Sequence, residues 1–144
     1  MSLTPKILVF FAALLISCKS PSYQASRFFD LDAADRLRTF SKMSLTTQYQ
    51  MYQFGFSNTH PPTLELAEPI ADNGIRVVPF LLDHLLRTKE DNEVYGIAFI
   101  FGIMDAKNIF HVKDDFIADS IFKNRVSKIE DNDIKRLCLS AAGE

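Results

Sequence analysis

An all-α chain built as antiparallel helix pairs follows from three observations on the sequence. Apolar residues recur at spacings of three and four, as in Phe29, Ala33, Leu37 and Phe40 and again in Ile117 and Ile121, which is the period of a helix with one buried face. Strict alternation of apolar and polar residues, the mark of a half-buried strand, is almost absent. Turn signals at Pro61-Pro62, Asn73-Gly74 and Thr88 to Asn92 cut the chain into segments of helical length.

The chain opens with a segment that is expected to be removed. Met1 to Lys6 carries one Lys, and Ile7 to Ile16 is an unbroken apolar run of ten residues. That is too short to span a hydrocarbon core, which takes about twenty residues, and suits the core of a secretion signal. Leu15-Ile16-Ser17-Cys18 follows at once, and this tetrad resembles the lipobox of bacterial lipoproteins. The resemblance implies cleavage between Ser17 and Cys18, with diacylglyceryl and further acyl chains on Cys18. Each buried methylene contributes about 0.8 kcal/mol, and two or more chains give stable anchoring. Lys19 stands at the second mature position, where Gram-negative lipoproteins kept in the inner membrane tend to carry Asp; the resemblance thus favours the outer membrane, facing the periplasm.

Removing residues 1–17 leaves 127 of the 144 residues, the size of one domain, expected over 26–144 after a polar tether at 18–25 that reaches about 25 Å at most. A first helix is expected from Ser26 to Lys42. A second runs from Leu45 to Phe54, with Ser44 as N-cap. Gly55 to Thr63 reads as a loop. Pro62 and Thr63 open a third helix that stops at Asn73-Gly74. Ile75 to Arg87 is a strongly apolar helix with Pro79 tolerable near its first turn. A polar turn at 88–92 leads into an apolar helix from Glu93 to Ala106.

Sliding the chain by 40 residues lays Asp91-Asn92-Glu93-Val94 on Asp131-Asn132-Asp133-Ile134, and then Ile97, Ala98 and Phe99 on Leu137, Cys138 and Leu139. The preceding helices agree less well, since Leu85 falls on Arg125. Gly74, Val78-Pro79-Phe80-Leu81-Leu82, Asp91 to Val94 and Ala98 together resemble the HEAT-like repeats of α-solenoids. The resemblance implies helix pairs over about 74–104 and 112–143, forming a short solenoid or a compact bundle. Phe99, Phe101 and Phe110 are bulkier than such repeats usually carry. The apolar last helix would invite a partner or a second copy of the chain.

Charge and composition exclude several functions. All acidic residues lie beyond position 29 and Lys6 leaves with the signal, so the formal charge moves from −2 to −3 on maturation, with no basic face for nucleic acid. With Cys18 acylated, Cys138 has no disulfide partner and reads as a small core residue. HExxH, paired Cys/His ligands, a nucleophile elbow, a P-loop and a dinucleotide fingerprint are all lacking, so no metal, cofactor or catalytic residue is assigned.

Two functional readings remain. The leading one is a non-enzymatic interaction or scaffold module held to the bilayer through Cys18, with an immunity-type lipoprotein as a special case. The rival is a small hydrolase or ligand-binding protein acting on cell-wall material, using His60 with Asp114, Asp115 and Asp119. The ligand-binding candidates are Tyr52, Phe56 and His60, an aromatic-edged groove with an imidazole at its rim. Against this stands a structural reading in which Tyr49, Tyr52 and Phe56, at helical spacing, form a buried stripe. Tyr52, Phe54-Gly55 and His60-Pro61-Pro62 also resemble uncharacterised bacterial envelope proteins, a likeness that implies no function.

Overall fold

Apolar stripes at helical spacing fold here into eight α-helices, with three short 3-10 turns, across residues 21–143, the residues described by this computed structural model. Among the described residues there is no strand, and no helix is long and apolar enough to cross a membrane. The chain divides into two compact units, the first ending at Arg36 and the second running from Leu37 onward, where one domain over 26–144 is the sequence expectation.

The first unit corrects the sequence reading at two points. Helix α1 spans Pro21–Phe29 and so begins inside the stretch read as tether, 18–25, with Pro21 at a first helical position that needs no N–H donor. The helix expected from Ser26 to Lys42 is broken, and α2 starts anew at Ala33–Phe40. Two side chains explain the break. Asp32 Oδ1 accepts the Asp35 N–H at 2.9 Å as an N-cap, and Arg36 Nη2 donates to the carbonyls of Phe29 and Leu31 at 3.2 and 3.0 Å. The Arg36 guanidinium also lies 5.6 Å from the Phe29 ring centroid, and Phe28 meets Phe29 edge-on at 5.0 Å.

In the second unit α3 (Leu45–Asn58) begins at the expected N-cap, where Ser44 accepts the Thr47 N–H. It runs four residues past Phe54. Gly55 is buried within it, and its carbonyl accepts from both the N–H and the hydroxyl of Thr59, which closes the helix. The next helix is shorter than expected: a 3-10 turn at Leu64–Leu66 leads to α4 (Ala67–Ala71). Asn73 Nδ2 caps its end on the carbonyls of Pro69 and Ile70, and Gly74 at φ +72° turns the chain through the left-handed region.

Helix α5 (Val78–Arg87) carries Pro79 in its first turn, where proline does no damage. A three-residue turn returns the chain into α6 (Asp91–Ala106), which ends where Asn108 takes a left-handed φ of 53°. A 3-10 turn at Val112–Asp114 precedes α7 (Phe116–Ser127), capped by Asp115, and α8 (Asn132–Ala141) is capped by Asp131.

The helices of the second unit from α3 to α8 stack in two layers. Rings of α3 and α5 meet, Tyr49 on Phe80 at 5.2 Å, and α5 packs on α7; behind them α4 packs on α6, and α6 on α8. Leu66, Ile70, Leu81, Ile97, Met104 and Phe122 are fully buried between the layers. At Gly102 the backbones of α6 and α8 come so close that a Cβ would stand 2.2 Å from the Ala141 carbonyl oxygen. Arg125, only 9% exposed, fastens α7 to the α5–α6 turn: Nε donates to the Thr88 carbonyl at 3.1 Å and Nη2 to Asp91 Oδ1 at 3.2 Å.

Candidate functional site

Cys18 and Ser17, the lipidation and cleavage positions, lie outside the described residues. Of the three ligand-binding candidates, the fold unites two and leaves the third apart. Tyr52 is completely buried, and its hydroxyl donates to the Gly96 carbonyl at 2.9 Å. Burial, followed by the neighbouring Tyr95, pushes the Tyr52 pKa well above that of a free phenol. Phe56, also buried, packs 5.8 Å from Tyr52 and edge-on to Tyr95 at 5.4 Å. These two rings join α3 to α6 and present no open face. His60 is exposed on the loop after α3, preceding a cis Pro61, and makes no ion pair or side-chain hydrogen bond among the described residues.

Two of the three acidic residues of the rival reading, Asp115 and Asp119, have local work. Asp115 Oδ1 accepts the N–H groups of Ile117 and Ala118, and Asp119 pairs with Lys123 one helical turn on. His111 pairs instead with Asp105, Nδ1 to Oδ1 at 2.5 Å. Among the described residues no three His, Cys, Asp or Glu side chains gather closely enough to hold a metal ion.

A different histidine is built into a groove. Glu93, in the first turn of α6, accepts the Tyr49 hydroxyl on Oε1 at 2.8 Å, and His84 Nδ1 of α5 lies 3.2 Å from the same oxygen. The Tyr49 and His84 rings are 4.3 Å apart, and Phe80 closes behind both. Burial first, and then the bond to Glu93, drives the Tyr49 pKa far above its usual range, so the phenol stays a donor. An open groove of about 500 Å³ lies over this trio, with Gln50, Gln53 and Ser57 on one wall and Glu90 and Asn92 on the other. Sequence reasoning missed it because Tyr49, His84 and Glu93 sit on three helices, and no local spacing announces that they meet.

Two further grooves flank the layers. One, of about 580 Å³ beneath the α5–α6 turn, has a mixed lining of Arg87, Lys89, Lys128 and Glu130 around Arg125. The other, of about 370 Å³, runs between α6 and α8; Tyr95, Phe99, Ile103 and Leu137 line it over small residues, and none of its lining side chains is charged. Compared with protein-family models, with curated proteins and with solved structures, the chain matches none of them.

Proposed function

We propose that the chain is a lipid-anchored lipoprotein of the bacterial cell envelope that acts as a non-enzymatic protein-interaction module. The observation that carries the interaction role is the uncharged groove between α6 and α8, with Leu137 43% exposed at its edge. An apolar surface left in water is a cost unless something covers it, and interfaces concentrate such patches at their centre. The occupant that suits the groove is an apolar helix, from another envelope protein or from α8 of a second copy. The layered helix pairs support the HEAT-like reading, since α5 packs on α7 as α6 packs on α8. The apolar leader and the Leu15-Ile16-Ser17-Cys18 tetrad support acylation of Cys18.

Two measurements test the two halves of this reading. Radiolabelled palmitate should enter the native chain and not Cys18→Ala; label in neither refutes the anchor. A photo-crosslinking residue at position 137 should trap one discrete partner or a dimer, and Ala141→Glu should abolish that product. Absence of any discrete product from intact envelopes refutes the interaction surface.

A further inference from the structure

The groove over Glu93 is distinct from the α6–α8 surface, and its chemistry selects one kind of guest whether or not the chain is acylated. We propose that it binds a primary ammonium or guanidinium group, as borne by a lysine or arginine side chain of a peptide. Three features of the site carry this.

The first is a preset acceptor. Tyr49 Oη and His84 Nδ1 both converge on Glu93 Oε1, which fixes the carboxylate in one orientation. Oε2 accepts nothing from the described residues, and the Glu93 side chain is 23% exposed, so a charged donor can reach it from solvent. A charge-assisted hydrogen bond at a half-screened site is stronger than either a neutral one or a fully solvated pair.

The second is charge sign. The groove carries two carboxylates, Glu90 and Glu93, and neither Lys nor Arg lines it. Arg87, the nearest arginine on α5, is held by Asp83 at 2.7 Å. An anionic guest would meet the two carboxylates with only the His84 imidazole beside them. A sugar would lack a platform, because Tyr49, the aromatic ring of the lining, is only 3% exposed.

The third is the set of neutral groups around the carboxylates. Gln50, Gln53, Ser57 and Asn92 offer side-chain oxygens to the several N–H donors of an ammonium or guanidinium. Gln53 Nε2 is buried beside the Tyr49 hydroxyl and has no acceptor in hydrogen-bonding geometry among the described residues.

The test is an NMR titration of the full chain in detergent with Nα-acetyl-arginine methylamide, using the norleucine analogue as the neutral control. Saturable shifts of the Gln50, Gln53 and Asn92 side-chain amides are expected, with Kd between about 0.1 and 10 mM. Glu93→Gln, which keeps an acceptor for Tyr49, should weaken binding by about tenfold or more. Should that variant fail to fold, Glu90→Gln takes its place, with a loss of about threefold expected from its more exposed carboxylate. No saturation by about 50 mM, an equal response to norleucine, shifts confined to other parts of the chain, or unchanged affinity in the folded variants would each overturn the proposal.

Discussion

Gly102→Ala puts the α6–α8 contact to a quantitative test. The new methyl would lie 2.2 Å from the Ala141 carbonyl oxygen and 3.2 Å from its carbonyl carbon, both backbone atoms of the neighbouring helix. Carbon and oxygen ordinarily stay about 3.3 Å or more apart, so α8 must retreat by about 1 Å along its last turn. Overpacking of this kind costs about 1–3 kcal/mol, while replacing a mid-helix glycine returns about 0.5–1 kcal/mol in backbone entropy. A net loss of about 1–2 kcal/mol is expected, visible in urea unfolding followed by circular dichroism as a midpoint lower by roughly 0.5–1 M. Gly96→Ala is the control, because there the Cβ meets the far end of Gln53 at 3.1 Å and Tyr52 Cε1 at 3.4 Å, and the Gln53 amide can swing aside. If Gly102→Ala proves as stable as the native chain, or more stable, helix propensity governs the position and the close approach of the two backbones is refuted.

Arg125→Met should destabilise by about 1–3 kcal/mol in thermal melts, since it strips the Thr88 carbonyl and the partly buried Asp91 of their donor; an unchanged melt would mean that the fastening is idle. Phe116→Ser, at a side chain 87% exposed, should move stability by less than about 0.5 kcal/mol, and a larger loss in the same melt would show that the ring is covered. Burial pushes the Cys138 thiol up to about 12, so Ellman's reagent at pH 8 should label it only after denaturation; fast labelling of the folded chain would contradict its burial. The same three raised groups, Cys138, Tyr49 and Tyr52, keep protons when folded that the unfolded chain releases. Stability should therefore be full below about pH 8.5 and fall by up to about 1.4 kcal/mol per pH unit for each group as pH rises past its unfolded value; urea midpoints flat to pH 11 would refute this.

The sequence showed the helices where caps and stripes agree. Ser44 and Asn73-Gly74 each marked a boundary that the fold uses, whereas the helix expected from Ile75 starts only at Val78, after a 3-10 turn at Gly74–Val77. The break between α1 and α2 was hidden because the apolar spacing runs straight through it; what stops the helix is Arg36 reaching back to two carbonyls, a contact without a sequence pattern. The poor match between the first helices of the internal repeat also has a physical source. Buried Leu81 and Leu85 correspond to buried Phe122 and Val126, an offset of 41, whereas Ala98 and Cys138 keep the offset of 40. The second pair is thus one residue shorter between its core positions, 12 from Val126 to Cys138 against 13 from Leu85 to Ala98, which puts Arg125 beside a core position rather than in it and frees it to fasten the turn. The repeated aspartates differ as well: Asp131 caps its helix, while Asp91 is held by Arg125. The buried aromatic stripe of α3 was legible from spacing alone. The groove at Glu93 was not, since Tyr49 and Glu93 stand 44 residues apart.

Helix α6 packs against four others, α3, α4, α5 and α8. Both tyrosine hydroxyls of α3 grip it, one at Glu93 and the other at Gly96. No partial opening of the second unit can free its middle turns without parting several neighbours at once. In deuterated solvent the amides from Ile97 to Phe101 would then be the last to exchange, at the rate of complete unfolding, while the ends of α8 exchange by local fraying. A helix so clasped is the spine on which the other pairs hang, and damage to it should dissolve the whole unit rather than one end.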